Sequence, residues 1–234
     1  MGININMKKS YLKQNKMILG WALFFFAALV LPVTFNALQD SQKTRASAQS
    51  MSSTEFSFTV YLHAIGRSGD TVNPDNSAFS NKSPDRNQRA TVVNVYNSSG
   101  QLVLSKNDGY VRYNDDKGAY LGVIDMGNTL SSGDYTIKIK IDSYLVRSVP
   151  GVQHISAFTQ EVMPPITLVA GDFDSNNAIN VLDYNFLMGC YSDIMDPAFC
   201  DFKKSSIADI SDDGHVNQLD YNLFIREISV QHGD

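Results

Sequence analysis

The chain has 234 residues, 43% of them apolar and 18% charged, with 19 basic and 24 acidic side chains giving a formal net charge of −5 at pH 7. That apolar fraction supports a real core and excludes a disordered tail, while the acidic balance excludes a wholesale nucleic-acid binder, which needs basic side chains to neutralise phosphates. Two cysteines exclude a disulfide-rich miniprotein and a four-cysteine zinc site.

Lys8, Lys9, Lys13 and Lys16 precede an uncharged run over residues 17–39 that contains the only tryptophan, Trp21. A basic flank before an apolar stretch is the pattern of an export signal or a membrane anchor, with the lysines held on the cytoplasmic side. Residues 1–50 therefore read as a signal peptide or signal anchor plus a polar linker. Two outcomes stay open: cleavage after Ala46-Ser47-Ala48, or retention of residues 17–38 as a single transmembrane helix. Either places the rest of the chain outside, secreted or at the cell surface.

Residues 54–170 read as β-structure. Phe56, Phe58, Val60 and Leu62 alternate with Ser57, Thr59, Tyr61 and His63, and Tyr135, Ile137, Ile139 and Ile141 alternate with Thr136, Lys138 and Lys140. Each pattern predicts a strand with one buried face. Further β-rich runs lie between turn sequences such as Ser99-Gly100, Asn107-Asp108-Gly109 and Asp115-Asp116-Lys117-Gly118, giving about eight strands in an expected antiparallel β-sandwich. The stretch Ser132-Gly133-Asp134-Tyr135-Thr136-Ile137-Lys138 with Ser143-Tyr144-Leu145 resembles the penultimate hairpin of transthyretin-like and collagen-adhesin-B-like modules, which implies a sandwich. The one long polar insertion, residues 66–89, carries Arg67, Asp70, Asp75, Lys82, Asp85, Arg86 and Arg89. It reads either as a functional loop or as a plain crossover connection.

Residues 171–234 hold twelve acidic side chains against three basic ones. Within them two segments align without a gap, from Asp172 to Asp183 and from Asp209 to Asp220, each followed by Tyr-Asn. Oxygen side chains recur at loop places one, three, five, nine and twelve. A hard cation takes six to eight oxygens, and a twelve-residue loop wrapped around it turns alternate side chains inward. The first loop would ligate through Asp172, Asp174, Asn176, the Ala178 carbonyl, Asn180 and Asp183. The second would use Asp209, Ser211, Asp213, the His215 carbonyl, Asn217 and Asp220. Ile179 and Val216 would pair the loops by a short β bridge, and Asn180 and Asn217 would cap the helices whose apolar spacing follows. At place six, where Gly is usual, the first loop has Asn177, which tolerates a left-handed backbone.

These paired loop-helix units, with aspartate at place twelve and a strand leading into the first loop, resemble dockerin domains. The resemblance implies a small α-helical domain over residues 171–232, a paired EF-hand-type Ca²⁺ module with two sites and a docking role toward a cohesin-like or other surface protein. Dockerins bind through a Ser-Thr pair at places ten and eleven. Here those places hold Val181-Leu182 and Gln218-Leu219, so no particular cohesin partner carries over. Cys190 and Cys200 lie between the repeats. In an exported chain they most simply form a disulfide, a metal pair being the weaker reading because no histidine is near them in sequence.

His63, His154, His215 and His232 are scattered, and residues 54–170 contain no Gly-x-Ser-x-Gly, His-Glu-x-x-His or Cys/His dyad. The chain reads as a non-catalytic exported surface protein with a docking module. The alternative is a carbohydrate-binding accessory protein of a polysaccharide-degrading assembly, with glycan on the sandwich. Its stacking platform would have to be Tyr or Phe, since no tryptophan lies beyond residue 21.

Overall fold

The structure, a computed structural model, describes residues 51–66, 80–193, 197, 200–228 and 233–234. The expected N-terminal hydrophobic helix and its membrane or signal role fall on residues 1–50, outside the described residues. Among the described residues no helix is long and apolar enough to cross a membrane.

Eleven strands are followed by three helices: β1 (Thr54–Leu62), β2 (Gln88–Tyr96), β3 (Leu102–Asn114), β4 (Ala119–Gly127), β5 (Gly133–Ile141), β6 (Ser143–Tyr144), β7 (Arg147–Ser148), β8 (Gln153–Ile155), β9 (Gln160–Val162), β10 (Ile166–Leu168), β11 (Ala170–Asp172), α1 (Val181–Cys190), α2 (Phe202–Ala208) and α3 (Gln218–Glu227). The alternation in β1 buries Phe56, Phe58, Val60 and Leu62, and that in β5 buries Ile137, Ile139 and Ile141. Burial of one face per strand supplies most of the stabilisation here, at roughly 25 cal/mol for each Å² of apolar surface removed from water.

The chain is β-rich with a helical C-terminal part, but the strands do not divide into the two facing sheets of the expected antiparallel sandwich. Nine of them form one sheet, ordered β10-β1-β4-β3-β2-β5-β7, with β8 on β5 and β9 on β1. The sheet curls until β10 and β7, at the ends of that path, touch. Two features produce the curl. The thirteen-residue β3 pairs with β2 along its length and with β4 at its far end, Arg112 opposite Leu121. Register shifts between Thr91 and Val93 and between Val95 and Tyr96 add local twist. Nor is the pairing wholly antiparallel, since β9 and β10 both lie parallel to β1.

A separate ribbon carries the chain into the helical part. β11 pairs with β6, Ala170 opposite Tyr144 and Asp172 opposite Ser143. One hydrophobic core runs through both parts, from Phe56 and Ile139 in the sheet to Phe173, Leu187 and Phe224. Residues Met51–Asp234 form a single compact unit.

Candidate cation-binding loops

The two aligned segments fold alike, and the backbone shows why. Places four and six are left-handed in both: Ser175 (φ 62°) and Asn177 (φ 67°) in the first loop, Asp212 (φ 55°) and Gly214 (φ 88°) in the second. These reversals turn the chain around the carboxylate at place one. Asp172 Oδ2 accepts from the Asn177 N–H at 3.1 Å, and Asp209 Oδ2 from the Gly214 N–H at 3.0 Å.

Place twelve closes each loop and starts each helix. Asp183 accepts from the N–H groups of Phe173 (2.8 Å), Asp174 (3.2 Å) and Asn180 (2.9 Å). Asp220 accepts from those of Ser211 (2.8 Å) and Asn217 (2.9 Å). Asn180 and Asn217 are the N-caps of α1 and α3, each forming a capping box with its place-twelve aspartate. A single carboxylate thus satisfies orphan amides at the helix start and faces the interior of the loop.

The geometry brings three carboxylates together in each loop. One oxygen from each of Asp172, Asp174 and Asp183 lies within 4.8 Å of the others, and the same holds for Asp209, Asp213 and Asp220. Asp172, Asp183 and Asp220 have no exposure and Asp209 is buried. Burial pushes Asp220 up to about 7, against the opposing pull of the Asn217 and Ser211 N–H groups. Burial likewise raises Asp172, Asp183 and Asp209, with neighbouring carboxylates adding to the rise. Asp172 Oδ1 is buried with no hydrogen-bond partner. An all-oxygen, carboxylate-rich set with an unpartnered buried oxygen fits a hard cation.

The remaining predicted ligands lie in the same loops with their polar atoms engaged otherwise. Asn176 Oδ1 accepts from the Ala178 N–H at 2.8 Å, and the Ala178 carbonyl is 3.3 Å from Asn180 Nδ2. Asn180 and Asn217 accept from the N–H groups of Leu182 and Leu219 as caps. Ser211 Oγ donates to Asp209 Oδ1 at 3.3 Å, and the His215 N–H donates to Asp213 Oδ1 at 3.0 Å. Ile179 and Val216 are both buried, yet among the described residues no β bridge joins them. The Val216 carbonyl accepts instead from the Ser192 N–H at 3.0 Å, which ties it to the segment after α1. Cys190 at the end of α1 and Cys200 before α2 are joined by a disulfide.

Sequence reasoning did not single out Asp212, at place four, which is 1% exposed. Its carboxylate meets Arg86 Nε at 2.5 Å and Arg89 Nη2 at 3.1 Å. The only signal for it was the pair of arginines in the polar insertion, with nothing to say what they faced. On the outer side of α1, Val181, Leu182 and Met188 are exposed, and Ile225 is exposed on α3.

No family model matches the chain. No curated protein matches it either. Among the solved structures similar to it are two of a type II cohesin–X-dockerin complex from Acetivibrio cellulolyticus. The N-terminal interface mutant of that complex contains a chain 18% identical, with a TM-score of 0.44, over 74% of this chain and 94% of that one. The C-terminal interface mutant contains a chain 16% identical, with a TM-score of 0.42, over the same shares.

Proposed function

We propose that residues 171–232 are a calcium-stabilised dockerin-like module, and that the chain is an exported, non-catalytic surface protein that docks onto a protein partner. The observation that carries this reading is the pair of carboxylate triads at equivalent places in two loops with the same backbone turns. Carboxylates buried this closely repel one another. Two bound Ca²⁺ ions would replace that repulsion with coordination, the first through Asp172, Asp174 and Asp183, the second through Asp209, Asp213 and Asp220. The cation's part is structural: it would fix the loops and so the direction of α1 and α3.

The docking half of the reading is supported by the exposed side chains at the start and outer side of α1. Val181 is 65% and Leu182 57% exposed, at the two places where dockerins present their recognition pair. Leucine and valine there fit an apolar contact with a cohesin-like or other surface protein. The basic flank and apolar run at the N-terminus support export, by a cleaved signal or a retained anchor.

Calorimetric titration of the full chain with CaCl₂ tests the cation half. The expected result is two bound Ca²⁺ per chain, one fewer in each of Asp172→Ala and Asp209→Ala, and no comparable uptake of Mg²⁺. Absence of Ca²⁺ binding in the unaltered chain would sink the assignment. Affinity capture on the full chain with Ca²⁺ or with EGTA tests docking, and Leu182→Asp should abolish the calcium-dependent capture.

A further inference from the structure

The two loops are held to the β-sheet in different ways. The second loop is gripped at places one, three and four by the end of the polar insertion. Arg86 Nη2 donates to the Asp209 carbonyl at 2.9 Å, and Asn81 Nδ2 donates to the carbonyls of Ser211 (2.9 Å) and Asp212 (2.7 Å). The Asp85 N–H donates to the Asp212 carbonyl at 3.1 Å, and the Arg86 N–H and Nε donate to the Asp212 carboxylate at 3.0 and 2.5 Å.

Arg89 completes this grip from below. It is 5% exposed, 3.1 Å from Asp212 Oδ2, and its guanidinium lies 5.8 Å from the ring centroids of both Tyr120 and Tyr144. Tyr120 in turn donates its hydroxyl to the Arg86 carbonyl at 2.9 Å. Tyr120 thus holds the Arg86 backbone and, with Tyr144, flanks the Arg89 guanidinium beside the loop. Their two charges also offset Asp212, so that its carboxylate does not add to the repulsion among Asp209, Asp213 and Asp220.

Among the described residues the first loop is attached through the ribbon pairing of Asp172 with Ser143 and through a few further contacts. The Val146 N–H donates to Asn177 Oδ1 at 2.8 Å, the Gly233 N–H donates to the Asn177 carbonyl at 3.1 Å, and the half-buried Lys140 reaches the Ser175 carbonyl at 3.5 Å. None of these contacts is a buried charge pair. Place one differs too: Asp172 Oδ1 is buried without a partner, whereas Asp209 Oδ1 accepts from Ser211 Oγ and from the Asp213 N–H.

We infer that Arg86 and Arg89 are positioning residues of the second loop, holding its ligand-bearing backbone in shape without help from a cation, so that the second loop is preformed while the first opens more readily until it loads. This deepens the calcium reading proposed above and rests on it for the identity of the cation. The loops then differ in what removal of the metal does to them. The end of the insertion, residues 81–89, for which the sequence leaves open a functional loop or a plain crossover connection, becomes part of the second site.

Hydrogen exchange followed by mass spectrometry on the full chain separates the loops. In EGTA, amides in residues 209–220 should stay protected while those in residues 172–183 exchange at least about tenfold faster, the scale of one lost charged hydrogen bond. Arg86→Gln should raise exchange in residues 209–220 by a similar factor in EGTA, leave residues 172–183 unchanged, and regain protection when CaCl₂ is added. Asp212→Asn keeps a residue that tolerates the left-handed backbone and removes only the charge, and it should reproduce the effect if Arg86→Gln fails to fold. Equal exchange of the two loops in EGTA, or a rise spread over both loops in both variants, would overturn the inference while leaving calcium binding intact. Failure of CaCl₂ to protect either loop would overturn the calcium reading and the loading order together.

Discussion

His63, just beyond β1, and Glu227, in the last turn of α3, meet at 2.6 Å between His63 Nδ1 and Glu227 Oε2, and neither side chain is more than 3% exposed. A hydrogen bond in that position joins the first strand of the sheet to the last helix. Glu227 Oε1 is also within 3.3 Å of the Arg226 guanidinium, so the carboxylate is engaged on both oxygens. Glu227→Ala removes the partner of a buried imidazole and is expected to cost about 1 to 3 kcal/mol in urea unfolding. Glu227→Gln, which can still reach Nδ1, should cost less. Equal losses would mean that packing and not the hydrogen bond joins the two parts.

Within the loops the carboxylates should not be equivalent even in chelator. Asp183 holds three backbone N–H groups, whereas exposed Asp174 accepts, among the described residues, from Asn176. Asp183→Ala leaves buried amides unpaired and uncaps α1, an expected loss of about 2 to 4 kcal/mol in EGTA, while Asp174→Ala should stay within about 1 kcal/mol. Thermal unfolding of both variants in EGTA makes the comparison.

Asn177 gives a finer test. Its backbone sits at φ 67°, which favours glycine, but its side chain accepts from the Val146 N–H at 2.8 Å. Asn177→Gly relieves the backbone and loses that bond, with a net expected loss of about 1 kcal/mol. Asn177→Ala loses the bond and adds left-handed strain, roughly 1 kcal/mol more. A stabilised glycine variant would show that Asn177 is merely a tolerated substitute for glycine.

The disulfide between Cys190 and Cys200 closes a loop between α1 and α2. Its removal in the Cys190→Ser/Cys200→Ser double variant is expected to lower stability by ~2 to 3 kcal/mol, by restoring freedom to the unfolded chain. The same shift should appear in the unaltered chain on reduction, read as matched drops in Tm.

Tyr144 offers a pH test away from the loops. Burial pushes its hydroxyl up to about 12 from an ordinary value near 10, against the opposing charge of Arg89. The neutral phenol is therefore the form the fold retains, and the unfolded chain ionises first. Its contribution is intact below pH 10 and is lost progressively as pH rises toward 12, by up to ~3 kcal/mol. Burial raises the Tyr120 hydroxyl as well, so alkaline titration followed by tyrosinate absorbance should show late ionisation of both residues, with the Tyr144 part absent in Tyr144→Phe.

The loops were legible in the sequence because their constraint is local. Oxygen side chains at fixed places, a left-handed residue at place six and an asparagine cap three positions before the closing aspartate all fall within twelve residues. The strands were legible for the same reason, since alternation at Phe56 to Leu62 reports which face is buried. It does not report which strands lie across that face, so a curled single sheet and a two-sheet sandwich give the same pattern. The place of Arg86 and Arg89 was hidden for a different reason. Charged residues in an Asn- and Ser-rich stretch look solvated, and their partner Asp212 lies far along the chain at a loop place that carries no ligand role. The expected bridge between Ile179 and Val216 failed because Ser192 competes for the Val216 carbonyl.

The parallel pairing of β1 with β9 and β10 has a kinetic side. β1 is the first strand described, and β4 covers one of its edges, yet its other edge stays unpaired until the residues of β9 and β10 are available. That edge presents unpaired N–H and C=O groups on a strand whose one face carries Phe56, Phe58 and Val60, an apolar template for intermolecular pairing while it waits. Folding should therefore be slow for a chain of this size, with closure of the sheet as the late step. Chains cut before residue 160 would expose that edge permanently and aggregate, whatever the state of the cation loops.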